Sequence, residues 1–173
     1  RVLVCLTPTL AVMAEAIALN ANLIFAHHPL IFNPPKSLRS GEALAEMVRL
    51  AFTHNIGIYS AHTNFDQVND GTADVLAQIL QLQAVSPIVP TQSGLGYGRV
   101  GMLEPALTLQ ELLSTIQTQL HPPKLIFSPV ANLQQQISRV AVLGGSGAGF
   151  ISAVVKTNAQ AYITADCKFH QFQ

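Results

Sequence analysis

Charge is scarce in this chain. Only 10% of its 173 residues are Asp, Glu, Lys or Arg, against about 25% in an ordinary globular domain. The 9 Lys and Arg balance the 9 Asp and Glu. They are scattered rather than gathered into a stripe, which leaves no electrostatic footprint for nucleic acid. Long apolar runs are missing as well. The chain is 49% hydrophobic, with a mean hydropathy of +0.36. Even so, no uninterrupted stretch approaches the ~18 to 20 residues that a membrane helix needs. Other subunits are therefore expected to cover the apolar surplus, as obligate interfaces do, which predicts a homo-oligomer. Cysteine is limited to Cys5 and Cys167. They form neither a CxxC pair nor a disulfide framework, so reduced core thiols in a cytoplasmic protein are expected. No signal peptide is visible. The first residues, Arg1-Val2-Leu3-Val4, read as the middle of a strand without an initiator Met, and a piece of a longer protein is expected.

Strand-like and helix-like stretches alternate along the chain. Apolar runs predict strands over 2–6, 23–26 and 56–61, and helical spacing predicts helices over 10–19, 42–55 and 73–82. Thr7-Pro8-Thr9 is a turn able to cap the first helix. Such alternation predicts parallel strands in a sheet with helices on both faces. Residues 84–98, rich in Pro, Ser, Gly and Gln, read as a linker. The pattern then resumes, with strands over 99–103, 125–127, 140–143 and 161–164 and helices over 108–120 and 150–158. The expected class is α/β: two similar lobes, 1–83 and 99–173, with mixed, mainly parallel sheets covered by helices.

Two strand ends carry the chemistry. The first is Leu23-Ile24-Phe25-Ala26-His27-His28-Pro29-Leu30-Ile31-Phe32. Neighbouring residues on a regular strand point to opposite faces. Adjacent histidines would then serve two ions about 3.5–4 Å apart better than one shared ion. Pro29 holds His28 extended. The second is Ala61-His62-Thr63-Asn64-Phe65-Asp66. Asp66 offers a hard carboxylate that can bind or bridge ions. His62 can ligate, or hydrogen-bond a ligand. The bland alternatives are satisfied buried histidines and a capped turn at Asn64 or Asp66. Asp166 follows the last expected strand and reads either as an orienter or base facing the pocket, or as a helix cap. Gly144-Gly145-Ser146-Gly147-Ala148-Gly149 lacks the Lys of a P-loop. It reads as a tight turn or as a phosphate contact at a helix start. His54 and His121 read as surface residues.

The motifs HHPLIF and AHTNFD, followed by LGGSGAGF and TADCKFH, resemble those of the Nif-three-like family, also called the GTP cyclohydrolase I type 2 family. The resemblance runs along nearly all of the chain. It implies a two-lobed α/β protomer, a homohexameric ring and two divalent ions per protomer. Histidines with a carboxylate suit Zn, Fe, Mn, Co or Ni. His27, His28 and Asp66 match family ligands, and His62 matches a histidine beside the metals. The family's remaining ligands lie in an H-x-x-x-E motif beyond the TADCKFH segment, and this sequence ends before one. Some members carry an inserted central domain, for which residues 84–98 leave no room. Ala165 stands where the family usually has glycine.

Three functions compete. A metal-dependent hydrolase would act on a small nucleotide, phosphoester or amide, with His62 or Asp166 moving the proton. A metal carrier or ring-shaped adaptor would use the same ligands without turnover. The third is a structural α/β protein with incidental histidines.

Overall fold

The computed structural model describes residues 1–92, 94–129 and 132–172; the expected linker and second lobe include Ser93, Val130, Ala131 and Gln173, which lie outside them. The chain forms two compact units, Arg1–Phe65 and Asp66–Gln173.

The first unit is built by β1 (Val2–Cys5), α1 (Leu10–Ala18), β2 (Leu23–Ala26), α2 (Ala43–Thr53) and β3 (Gly57–Ser60). The strands lie in the order β1-β2-β3, all parallel, as crossover helices require. Thr9 caps α1, accepting the Val12 amide on its hydroxyl at 3.2 Å. Strand alternation assigns Leu3, Cys5, Ile24, Ala26 and Ile58 to one face. There they join Met13 and Ala16 of α1 and Met47 and Leu50 of α2 in a single core.

The opposite face of this sheet is open, contrary to the expectation of helices on both sides. Val4 is 75% exposed and Tyr59 52%, with Val2 and Phe25 beside them. Phe25 and Tyr59 are register partners on β2 and β3, with ring centroids 5.4 Å apart. The reason is that α1 and α2 pack on the same face, where they also touch each other.

A short helix, α3 (Thr63–Gln67), straddles the division. The second unit continues with α4 (Thr72–Ile79), β4 (Gln83–Ser86), β5 (Val89–Gln92), β6 (Leu95–Tyr97), β7 (Arg99–Thr108), α5 (Leu109–Leu120), β8 (Gln136–Ser146), α6 (Ile151–Lys156) and β9 (Ala161–Ala165). Its main sheet has the order β4-β7-β8-β9, and β5 with β6 makes a separate two-stranded ribbon. β4–β7 and β7–β8 are antiparallel and β8–β9 parallel. This lobe's sheet is therefore mixed, as expected, with one parallel pair beside two antiparallel ones. Leu112 and Ile116 of α5, Ala77 of α4, and Ile137, Val140 and Val142 of β8 form its core.

Three sequence expectations are revised here. The stretch read as a linker, 84–98, holds most of β4 and all of β5 and β6. The compact units meet at 65/66 rather than near 83, because α4 packs into the core of the second sheet. Residues 125–127 are not a strand: Leu125 packs against the core of this unit while Ile126 and Phe127 are exposed. Among the described residues, no helix is long and apolar enough to cross a membrane.

Candidate metal centre

The parallel ladder does not stop where the strands end. The His27 amide donates to the Cys5 carbonyl at 3.3 Å and the His28 amide to Leu6 at 2.8 Å. On the other side, the Ala61 amide donates to Ala26 at 2.9 Å. These bonds carry the register past β2 and place three loop starts side by side at the carboxyl edge of the sheet. Open parallel sheets bind ligands at that edge.

Three histidines converge there. His27, His28 and His62 are half-buried, and one ligating nitrogen from each lies within 4.8 Å of the others. The rings of His27 and His28 are 5.2 Å apart, those of His27 and His62 5.2 Å, and those of His28 and His62 5.9 Å. The expectation that adjacent histidines diverge fails for a local reason. His27 and His28 sit in a bend just after β2, where the alternation of a pleated strand no longer applies. Their convergence makes a single ion shared by all three imidazoles as natural as one ion per histidine.

Hydrogen bonds orient the rings. The His27 Nδ1 lies 2.9 Å from the Ala61 carbonyl. A carbonyl only accepts, so Nδ1 carries the proton and Nε2 the lone pair. The His28 Nδ1 lies 2.7 Å from the Thr7 hydroxyl oxygen, and the Ser60 hydroxyl donates to the His28 carbonyl at 3.3 Å. The His62 carbonyl accepts the Phe65 amide at 2.9 Å, which fixes His62 at the start of α3. Phe32 and Phe65 stand edge-on to His62 and His27, at centroid distances of 6.0 and 6.4 Å. The donor set fits a divalent ion of the Zn-to-Mn series: imidazoles are borderline ligands, and the ring oriented by a carbonyl keeps its other nitrogen available.

Asp66 and Asp166 belong to the second unit. Asp66 is half-buried on α3, and its Oδ1 accepts the Thr72 hydroxyl at 2.6 Å. Asp166 is exposed just past β9, in the left-handed region at φ 53°. The cap reading fails for it, because Lys168 precedes the following helical turn, Phe169–Gln171. His54 and His121 are exposed helix ends. His54 lines a crevice of about 250 Å³ together with Asn20, Asn22 and Asn55, at the other end of the strands from the triad.

The glycine loop is a tight turn. The Gly147 amide donates to the Thr164 hydroxyl at 3.0 Å, and the Tyr162 hydroxyl donates to the Gly147 carbonyl at 2.9 Å. The Thr164 hydroxyl in turn donates to Gly145 at 3.0 Å. A Cβ on Gly147 would collide with both the Thr164 and Tyr162 oxygens. Burial, together with the nearby Cys167, pushes the Tyr162 phenol above its ordinary pKa, while the bond to Thr164 opposes the rise. The sequence singled out the loop, and Thr7 and Thr164 only as members of a turn and a motif; it gave no sign that Tyr162 and Thr164 bond the loop or that Thr7 meets His28. A polar residue facing a motif across a neighbouring strand is the signal for them, and it needs the register.

The model of the Duf34/NIF3 (NGG1p interacting factor 3) family matches residues 1–173. A Nostoc sp. protein called GTP cyclohydrolase 1 type 2 homolog is 82% identical over 173 residues, which is 100% of this chain and 66% of that protein. A Clostridium perfringens protein of the same name is 32% identical over 172 residues, covering 98% of this chain and 65% of its own. The chain thus spans about two thirds of the length of these curated relatives. Among solved structures, the Staphylococcus aureus protein SA1388 superposes with a TM-score of 0.86 at 27% identity, over 99% of this chain and 68% of that one. A Bacillus cereus protein related to NIF3 shares the fold, with a TM-score of 0.89 at 24% identity, over 99% of this chain and 74% of that one.

Proposed function

The chain belongs to the Duf34/NIF3 family, and on that premise we propose that it binds divalent metal at His27, His28 and His62 and acts as a metal-dependent hydrolase. The observation that carries the reading is the approach of three imidazole nitrogens to within 4.8 Å at the carboxyl edge of a parallel sheet. When bound, such an ion supplies Lewis acidity, polarising a carbonyl or phosphoryl oxygen and making water a nucleophile near neutral pH. The chain's own residues do the rest. The Ala61 carbonyl sets the tautomer of His27. Phe32 and Phe65 stand edge-on to the imidazoles.

The name of the relatives, GTP cyclohydrolase 1 type 2 homolog, suggests a nucleotide substrate; a phosphoester or an amide would suit the same ion chemistry. Asp66, four residues after His62, is the carboxylate this reading adds as a ligand, and with it a second ion. A proton-moving role for Asp166 rests on the sequence resemblance alone. The open apolar face bearing Val4 and Tyr59 supports a homo-oligomer, which the resemblance makes a hexamer. The free thiols of Cys5 and Cys167 support a cytoplasmic protein.

Elemental analysis of the full-length protein beside its His28→Ala variant tests the metal site. Equal metal in both sinks it. Hydrolysis of a nucleotide and phosphoester panel, with and without chelator, tests turnover. Metal-loaded protein that stays inert on the whole panel favours a non-catalytic carrier or adaptor.

A further inference from the structure

We infer that Thr7 is a positioning residue for the metal site, holding the His28 imidazole so that its Nε2 presents the ligating lone pair. The inference rests on the metal-site reading above.

The geometry begins with the register. Val4 pairs with Phe25 and Cys5 with Ala26 along β1 and β2. The ladder continues when the His28 amide donates to Leu6 at 2.8 Å, so the residue after Leu6 is brought beside His28. Thr7 cannot drift from that place. Pro8, which follows it, is buried and disfavours helical backbone at Thr7. Thr9 then fixes the start of α1 by capping Val12. Thr9 supplies that cap, so the Thr7 hydroxyl is not needed for it. Instead it lies 2.7 Å from the His28 Nδ1.

A hydroxyl can donate or accept, so this bond alone allows either tautomer. The metal decides between them. A ligand at Nε2 requires the proton on Nδ1, and Nδ1 then donates to the Thr7 oxygen. The Ala61 carbonyl plays the corresponding part for His27 at 2.9 Å. Two neighbouring imidazoles are thus each held at Nδ1 by a different neighbouring strand end, one by a side chain and one by backbone. Only the side-chain partner can be removed by substitution. Outer partners of this kind orient the ring and raise its basicity.

The test uses the full-length protein with Co²⁺ or Zn²⁺ as the probe. Thr7→Val keeps the shape and removes the hydroxyl, and Thr7→Ser restores it. Chelator competition should show T7V binding Co²⁺ about 10–100-fold more weakly than wild type, the usual cost of losing an outer-shell partner, with T7S near wild type. The visible spectrum of the Co²⁺ form should change in T7V and not in T7S. In the Zn²⁺-loaded protein, nitrogen NMR should find His28 protonated at Nδ1, with that resonance shifted in T7V and not in T7S. Unchanged affinity together with an unchanged Co²⁺ spectrum in T7V overturns the inference. If T7V misfolds by circular dichroism, Thr7→Ala puts the same question, because Thr7 is exposed. The His28→Ala variant separates the two claims. If it binds Co²⁺ as wild type does, the metal site and this inference fall together. If it loses the metal while T7V does not, only the role of Thr7 falls.

Discussion

Arg99 grips Asp74 with two prongs, Nε to Oδ1 and Nη2 to Oδ2, the second at 2.9 Å. Its other donors reach the carbonyls of Gly96 and Gly98 at 2.8 Å each and Val68 at 3.2 Å. At 2% exposure it is the one buried charged side chain among the described residues. Every donor direction of the guanidinium is answered, which is the condition for tolerating such a charge. One side chain thereby ties together the approach to α4, the end of the β5–β6 ribbon and the start of β7. Arg99→Ala should lower the unfolding free energy by about 3–5 kcal/mol, because Asp74 loses its partner. Replacing both residues with apolar ones of similar volume should cost less than the single change. Denaturant unfolding of the three variants measures this.

Gly147→Ala should destabilise by about 1–3 kcal/mol, the cost of overpacking. The glycine's φ of −87° suits any residue, so the penalty comes from the collision with the Thr164 and Tyr162 oxygens and not from backbone strain. Tyr162→Phe alone should cost about 1 kcal/mol for the lost bond to Gly147. It should also relieve part of the alanine penalty in the double variant, so the two effects should not add. Thermal unfolding of the pair and the double mutant checks this.

The start of α5 should show a pH signature. The Thr108 hydroxyl accepts the Glu111 amide at 3.2 Å, and the Glu111 carboxylate accepts the Thr108 amide and hydroxyl, each at 2.7 Å. These bonds, the hydroxyl's first, hold the Glu111 carboxyl below its ordinary pKa. A folded pKa below the unfolded one means stabilisation that is complete above the ordinary carboxylate range and lost as pH falls through the folded value. Glu111→Gln should therefore melt lower than wild type at neutral pH, and the gap should close in acid. Melting temperatures across pH 7 to pH 2 read it directly; a gap that persists in acid contradicts it.

Loss of His62 should weaken metal binding as severely as loss of His28, since both contribute to the group of nitrogens within 4.8 Å. The drop should exceed the ~100-fold upper end typical of outer-shell partners. Competition with a chelator at fixed pH compares the two alanine variants.

The parallel unit was legible in the sequence because its signals are local. The runs at Val2–Cys5 and Leu23–Ala26 and the helical spacing between them dictate a crossover, and the crossover dictates parallel strands. The second unit was less legible because its pairings are not local. β7 finds β8 across α5 and the connection 121–135. β5 and β6 include Pro90 and Gly96, residues that read as loop in isolation and are tolerated here in a ribbon of only two strands. Arg99 escaped notice because nothing in a sequence distinguishes a charge about to be buried from one at the surface. His27, His28 and His62 were found by their place after apolar runs. Their meeting at one edge of the sheet was foreseen, but not that His27 and His28 would both turn toward His62, because that depends on the chain bending at the strand end.

All three histidines lie within Arg1–Phe65, and so do Thr7 and the Ala61 carbonyl. During vectorial synthesis, domains fold amino-terminal first. Every imidazole of the triad has thus left the ribosome before Asp66–Gln173 does. If the triad holds an ion as proposed, one that meets the nascent chain at that stage would link the ends of β2 and β3 early, and metal supply would bear on biogenesis as well as on the finished protein.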